Sequence, residues 1–426
     1  MKLCVEKTDR LEGEITVPSS KSHTIRAVII ASLAEGRSGI INPLNSKDTM
    51  AAVNACRTLG AKINTDNNKE WIVEGFDNKP RYVDEPINML NSGTSLRLLS
   101  GIIAALCDFE VELDGDSSLR TRPIQPLLKS LNQLGAEALS INNNGYCPIK
   151  IRGKMKGGRT EINSFTSQYV SSLLLACPLL EEDSIITVIN PNEIPYIKMT
   201  LSWLDEQGIK YEAKEDFTEF RVFGNQRYKS FEKKIPADWS SAAFPIVGAA
   251  ITNSNVLVKG LDTDDVQGDK AILDYLKKMD AEILIEENGI RIMGKKLYGC
   301  ELDLNNTPDA LPSMAVAGCF AEGTTTLVNV PQARVKETDR IKVMAEELSK
   351  LNADIKEREE GLVINKSILK GSKVRGHGDH RVVMALSLAG LIAEGKTEIT
   401  TAEAINITYP NYVESMRALG AKMEVI

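Results

Sequence analysis

Histidine, paired cysteines, aromatic side chains and long apolar runs are what this 426-residue chain has least of. Its three histidines, His23, His377 and His380, stand without the cysteine or carboxylate spacing of a metal site, and no CxxC pair occurs. Seven cysteines, Cys4, Cys56, Cys107, Cys147, Cys177, Cys300 and Cys319, are an odd, scattered set lying mostly in apolar stretches. That pattern excludes a disulfide scaffold and reads as reduced, buried thiols. Aromatic residues make up 5% of the chain, too few for a surface that stacks nucleobases. A net charge of −7 argues against nonspecific binding to nucleic acid or to a membrane surface. No apolar run approaches the roughly 18 residues of a membrane helix, and the first residues lack a charged-then-apolar leader pattern. The expectation is a cytoplasmic enzyme or binding protein whose anion sites are local concentrations of cations.

What the chain does have is repetition. A junction of the form Leu-Gly-Ala-x-apolar occurs at Leu59-Gly60-Ala61 and Leu134-Gly135-Ala136 and returns at Leu419-Gly420-Ala421. Looser versions stand at Gln207-Gly208-Ile209, Met279-Asp280-Ala281 and Leu351-Asn352-Ala353. Gly, Asn and Asp suit a left-handed residue just past a helix, so each junction predicts a helix end followed by a strand. Each of the six units also holds a second helix that is apolar nearly all round. These helices are Ala27–Leu33, Ser95–Leu106, Tyr169–Leu180, Ser241–Ile251, Leu311–Phe320 and Val382–Ala393, and a helix of this kind must be enclosed. The helices before the junctions are amphipathic, as Ile272, Leu273, Leu276 and Met279 illustrate. Short alternating strands lie between them, and Glu282–Ile292 predicts a hairpin turning at Asn288-Gly289. Length and repeats together give two similar α/β halves of three units each. The hinges fall near residues 17–20 and 234–238, so that 1–17 with 236–426 form one domain and 18–235 the other.

Every buried helix starts on polar or glycine-bearing residues. These starts are Ser20-Lys21-Ser22, Asn91-Ser92-Gly93-Thr94-Ser95, Ser164-Phe165-Thr166-Ser167-Gln168, Ala237-Asp238-Trp239-Ser240-Ser241, Thr307-Pro308-Asp309 and Gly376-His377-Gly378-Asp379-His380-Arg381. Caps alone account for the serines. They do not account for Lys21, Arg26, Gln168, Asp309, His380 and Arg381, which together with the helix dipoles would make an anion site. Arg120-Thr121-Arg122-Pro123 predicts an amphipathic helix opening on Pro123, and Arg334–Arg340 predicts another on which Lys336 and Arg340 share one face. Asp309 and Glu337, carboxylates among cations, are the candidate acid/base groups.

These stretches carry a resemblance. Pro18–Arg26, Asn91–Thr94, Arg122-Pro123, Thr166–Gln168, Thr307–Ala310, Arg334–Arg340 and Asp379–Arg381, in this order, are similar to the motifs of the EPSP synthase (3-phosphoshikimate 1-carboxyvinyltransferase) family of enolpyruvyl transferases. The resemblance implies an inside-out α/β barrel in each half: three βαβαββ units, buried helices covered by sheets, and an active site in the cleft between the two domains. It implies transfer of the enolpyruvyl group of phosphoenolpyruvate to the 5-hydroxyl of shikimate 3-phosphate by a monomer using no metal and no cofactor, and inhibition by glyphosate. Phosphoenolpyruvate would be held by Lys21, Asn91, Gly93, Arg122, Gln168, Arg340 and Arg381. Shikimate 3-phosphate would be held by Ser22, Arg26, Thr166, Ser167, Gln168, Asp309 and Lys336, with His380 and Gln332 behind the site. Asp309 would be the base at the hydroxyl, and Glu337 and Lys21 would move the proton at the methylene.

Four positions depart from the family pattern. Glu193 replaces a serine that touches the substrate phosphate, which an acid would repel unless turned away. Gln332 replaces an asparagine, Ile407 a lysine, and Leu98 a proline. Two other readings fit the residues. One is the sister enolpyruvyl transferase acting on UDP-N-acetylglucosamine, against which Asp116-Ser117-Ser118-Leu119 lacks that enzyme's cysteine. The other is a non-catalytic anion-binding protein on the same repeats.

Overall fold

The computed structural model describes every residue from Met1 to Ile426. The chain divides into two units, Ser19–Pro236 and a discontinuous one made of Met1–Pro18 with Ala237–Ile426.

Ser19–Pro236 contains α1 (Lys21–Leu33), α2 (Lys47–Thr58), α3 (Gly93–Leu106), α4 (Gln125–Gln133), α5 (Ser167–Ala176) and α6 (Ile194–Glu206). Its strands form three four-stranded sheets. Past their polar first turns α1, α3 and α5 are apolar nearly all round, and they are buried along almost their whole length, as a helix without a polar face must be. α4 shows the other pattern, burying Leu127, Leu128 and Leu131 on one stripe. Close packing of α3 on α5 depends on Gly101, where a Cβ would fall 2.6 Å from Ser172 Oγ. The Gly101 amide donates to that hydroxyl at 3.2 Å, and the hydroxyl donates to the Arg97 carbonyl at 2.6 Å.

The discontinuous unit repeats the plan with α7 (Trp239–Ala250), α8 (Ile272–Lys278), α9 (Leu311–Phe320), α10 (Arg340–Lys350), α11 (His380–Ile392) and α12 (Tyr412–Ala418). α7, α9 and α11 are the buried helices, and their apolar side chains, Phe244, Met314 and Leu388 among them, form one continuous core with the inner faces of three more sheets. No helix in either unit is long and apolar enough to cross a membrane.

The six sheets share one pairing scheme: a parallel pair, then two antiparallel pairs. Residues 87–152, 158–222 and 301–365 run through it in the order βαβαββ. The other three sheets are completed from elsewhere in the chain. Glu232–Lys234 adds in parallel to Arg37–Ile41, and Glu12–Thr16 adds in parallel to Asn255–Lys259. Lys2–Glu6 lies between Lys396–Thr400 and Met423–Val425, with Leu3 facing Ile399 on one side and Val425 on the other. The helix-to-strand junctions take the left-handed backbone their sequences predict, from Gly60 (φ +117°) to Asp280 (+69°), Asn352 (+70°) and Gly420 (+98°). Glu282–Glu286 and Gly289–Met293 make the expected hairpin, with Glu286 facing Gly289 across the turn.

Two local expectations fail. Lys336 and Arg340 do not share a helical face. Residues Pro331–Val335 form a 3₁₀ turn, and α10 begins only at Arg340 because the Asp339 carboxylate accepts from the Lys342 amide at 3.0 Å and caps it there. Pro123 likewise opens no helix. A 3₁₀ turn covers Leu119–Thr121, the chain is extended at Arg122, and α4 starts at Gln125 with Pro126 in its first turn.

Candidate active site

In Ser19–Pro236 the polar residues gather where α1, α3 and α5 begin. Ser20 caps α1, its hydroxyl accepting from the His23 amide at 3.4 Å. Lys21 follows, with its ammonium 3.1 Å from the buried carboxylate of Asp48 on α2. The Ser22 carbonyl accepts from Arg26 Nη1 at 3.1 Å. Arg26 is buried and otherwise meets neutral oxygens: Thr200 Oγ1 at 3.0 Å, with Ser171 Oγ and the Tyr196 carbonyl each at 3.4 Å. Burial lowers its pKa to about 10.

Ser92 caps α3, accepting from the Ser95 amide at 3.3 Å. Arg122 reaches this start from the extended segment before α4. Its two terminal nitrogens donate to the Asn91 carbonyl at 3.1 Å, the Asn91 side-chain oxygen at 2.7 Å and Ser118 Oγ at 3.0 Å. Gly93 makes room for the cations, since a Cβ there would stand 3.1 Å from the guanidinium nitrogens of both Arg122 and Arg97. Arg97 ties α3 to α5 by donating to Gln168 Oε1 at 2.6 Å, while Gln168 Nε2 donates to Thr94 Oγ1 at 3.1 Å.

The start of α5 is capped in a way its own sequence does not foretell. Thr166 occupies the cap position without capping. The Glu193 carboxylate does so instead: a single oxygen accepts from the Ser167 amide at 2.9 Å, the Ser167 hydroxyl at 2.7 Å and the Thr166 hydroxyl at 3.0 Å. Glu193 is 1% exposed and left-handed, with φ +53°. It is turned onto the helix start rather than away from it.

In the discontinuous unit the site is a charge cluster around Arg340, which is itself 1% exposed. Its guanidinium holds Asp379 with two bonds, at 2.7 and 3.1 Å, Asp309 at 2.6 Å and Glu337 at 2.6 Å. Asp379 also caps α11, accepting from the Arg381 amide at 2.9 Å. Arg381 Nη2 meets the other oxygen of Asp309 at 3.0 Å and donates to Ser240 Oγ at 2.9 Å. Asp309 is thus braced between two arginines. Burial pushes its carboxyl upward, but Arg381, Arg340 and Lys336 outweigh that and hold it well below the usual carboxylate range. Burial acts to lower Arg340, yet Asp379, Glu337 and Asp309 raise it above its ordinary value. Glu337 is 11% exposed and Asp309 18%, both more than the arginine that anchors them. His380 is fully buried in the first turn of α11, and Gln332 donates to the Asn305 carbonyl at 2.7 Å. Leu98 and Ile407 are buried apolar side chains.

Among the residues singled out from sequence, Asn91, Gly93, Arg122 and Gln168 form one connected set, and Asp309, Glu337, Arg340 and Arg381 another. Sequence reasoning gave no role to Asp48, and it read Arg97, Ser240 and Asp379 only as parts of helix starts, Asp379 not as the second anchor of Arg340. Asp48 and Asp379 carry the only available signal, an acid in or just before the first turn of a helix.

Two three-fold α/β units, each presenting cations and caps at the starts of its buried helices, are the architecture of an enolpyruvyl transferase. A model of the EPSP synthase (3-phosphoshikimate 1-carboxyvinyltransferase) family matches residues 5–416. A 3-phosphoshikimate 1-carboxyvinyltransferase of Acetivibrio thermocellus is 52% identical over 99% of both chains, and one of Ruminiclostridium cellulolyticum is 49% identical over the full length of both. Among solved structures, an EPSP synthase of Acinetobacter baumannii superposes with a TM-score of 0.84 at 28% identity, covering 99% of each chain. The chain belongs to the EPSP synthase family.

Proposed function

We propose that this chain transfers the enolpyruvyl group of phosphoenolpyruvate to the 5-hydroxyl of shikimate 3-phosphate, releasing phosphate, on the route to chorismate and the aromatic amino acids. The observation that carries the chemistry is Asp309 braced between Arg340 and Arg381. The methylene carbon of phosphoenolpyruvate takes a proton while the hydroxyl oxygen bonds to the adjacent carbon. The tetrahedral adduct then loses a proton from its methyl group and expels phosphate, restoring the double bond. Lys21, Asn91, Gly93, Arg122, Gln168, Arg340 and Arg381 hold phosphoenolpyruvate, the arginines clamping its carboxylate and phosphate. Ser22, Arg26, Thr166, Ser167, Gln168, Asp309 and Lys336 hold shikimate 3-phosphate.

Asp309 is the base for the 5-hydroxyl. In the ligand-free protein it is a poor one, because Arg340 and Arg381 stabilise its charge. Phosphoenolpyruvate brings anionic groups that draw on the same guanidiniums, and Asp309 then gains proton affinity when the hydroxyl arrives. Glu337 and Lys21 handle the proton at the methylene. The protein works as a cytoplasmic monomer with neither metal nor organic cofactor.

Phosphate release from phosphoenolpyruvate is the test, with shikimate 3-phosphate and UDP-N-acetylglucosamine supplied in parallel. Release with shikimate 3-phosphate alone is expected, and replacing Asp309 by Ala should slow it by about 10²–10⁴-fold, the usual worth of a positioned base. Release with the sugar nucleotide alone, or with neither, overturns the proposal.

A further inference from the structure

The helix start assigned above to shikimate 3-phosphate already holds an anion, and that anion belongs to the protein. One oxygen of Glu193 takes the Ser167 amide and the hydroxyls of Thr166 and Ser167, the same donors a phosphate oxygen would use. The carboxylate is 1% exposed, so this is a buried contact rather than a surface approach. We propose that Glu193 is an internal competitor for the substrate phosphate: it fills the start of α5 in the free protein, and shikimate 3-phosphate must displace it to bind. The inference rests on the substrate assignment made in the preceding section.

The backbone is built for such a release. Glu193 is held at φ +53°, a conformation that side-chain-bearing residues adopt reluctantly, and Asn190 three residues earlier is left-handed as well, at φ +51°. The bonds to Thr166 and Ser167 help to hold the turn in this shape. A phosphate that takes those donors breaks the three bonds that fix the carboxylate at the helix start, and Glu193 must move away to make room for it. Two anions cannot share these donors, because each would lose hydrogen bonds and face a like charge. The device sets the same threshold for every anion at this helix start. A small anion that offers nothing beyond its charge gains little by evicting Glu193, whereas a phosphate carried on a ring with further polar contacts does so profitably.

The test is calorimetric titration of wild type, Glu193→Gln and Glu193→Ala with shikimate 3-phosphate, without phosphoenolpyruvate, and separately with inorganic phosphate. Glu193→Gln removes the charge while keeping an oxygen that can accept from the Ser167 amide, so it preserves the cap; thermal unfolding of each variant checks that it is folded. Both variants should bind shikimate 3-phosphate at least tenfold more tightly than wild type, and inorganic phosphate should gain by a similar factor. Unchanged or weaker binding of both ligands in the folded variants would show that Glu193 is only a cap and would overturn the proposal. If shikimate 3-phosphate binds to none of the three proteins, the substrate assignment falls. The inorganic phosphate titration then decides the role of Glu193 by itself, a gain supporting the competitor and no gain refuting it.

Discussion

Replacing Arg340 by Met tests whether the discontinuous unit is held together through its own catalytic charges. The side chain is 1% exposed and is the common partner of Asp309, Glu337 and Asp379, so Met would leave its volume roughly filled and its charge absent. Asp379 suffers most, being fully buried and losing both bonds from the guanidinium, at 2.7 and 3.1 Å. Removing one partner of a buried ion pair costs about 3–5 kcal/mol, because the other charge stays desolvated. For a unit of this size each kcal/mol lowers the melting temperature by about 2–4 °C, so a fall of about 6–20 °C is expected. Differential scanning calorimetry at neutral pH, with the two units followed as separate transitions where they resolve, reads it directly. Arg340→Lys, which keeps the charge but cannot reach three carboxylates with one fork of donors, should fall between wild type and Arg340→Met. A Met variant that melts within about 3 °C of wild type would refute the reasoning. It would mean that the carboxylates take up protons or reach water at little expense, and that Arg340 serves substrate alone.

Three more outcomes follow from the same geometry. Asp309 has a folded pKa below its unfolded value near 3.9, so its ionised form contributes stability that is complete above that pH and is lost as pH falls through the folded value. Asp309→Asn should therefore lower the melting temperature at pH 7, and the difference from wild type should shrink steadily below about pH 4 in a pH series of melts. Gly93→Ala keeps a backbone that alanine accepts but places a methyl 3.1 Å from Arg122 and Arg97. KM for phosphoenolpyruvate should rise several-fold while the melting temperature barely moves, and an unchanged KM would show that the arginines yield without loss. Trp203→Phe removes the bond from the indole N–H to His23 Nδ1, 3.0 Å long and buried in the first turn of α1. That should cost about 1–3 kcal/mol, measurable by denaturant unfolding.

What could be read from the sequence was whatever is encoded locally. The left-handed junctions at Gly60, Asp280 and Asn352 and the caps at Ser20, Ser92 and Asp238 depend on residues within a turn of the helix they end or begin, and they stand where the pattern puts them. The misreadings are of the same local kind: Asp339 was a better cap than the run before it suggested, and Pro126 rather than Pro123 opens α4. The contacts that make a site are of another kind. Arg340 reaches Asp309 and Asp379 across 31 and 39 positions, Arg97 reaches Gln168 across 71, and Glu193 reaches back 26 to Ser167. Motif order marks which of these residues matter. It does not say that Glu193 points into the helix start, or that Lys21 rests on Asp48, because rotamer and burial are settled only when the units fold.

The strand Lys2–Glu6 has a consequence for how the protein is made. Both its neighbours, Lys396–Thr400 and Met423–Val425, are synthesised only after the whole of Ser19–Pro236, and Glu12–Thr16 waits for Asn255–Lys259. Ser19–Pro236, in contrast, is one unbroken stretch that closes its own sheets as soon as Glu232–Lys234 emerges. Translation thus completes the internal unit while the opening strands are still without partners, with apolar Leu3 and Val5 in the open. Pairing across nearly the whole chain makes the discontinuous unit the slow one. During that interval a nascent chain would depend on chaperones, or on its own charged flanks, to keep those strands from pairing with a neighbour's.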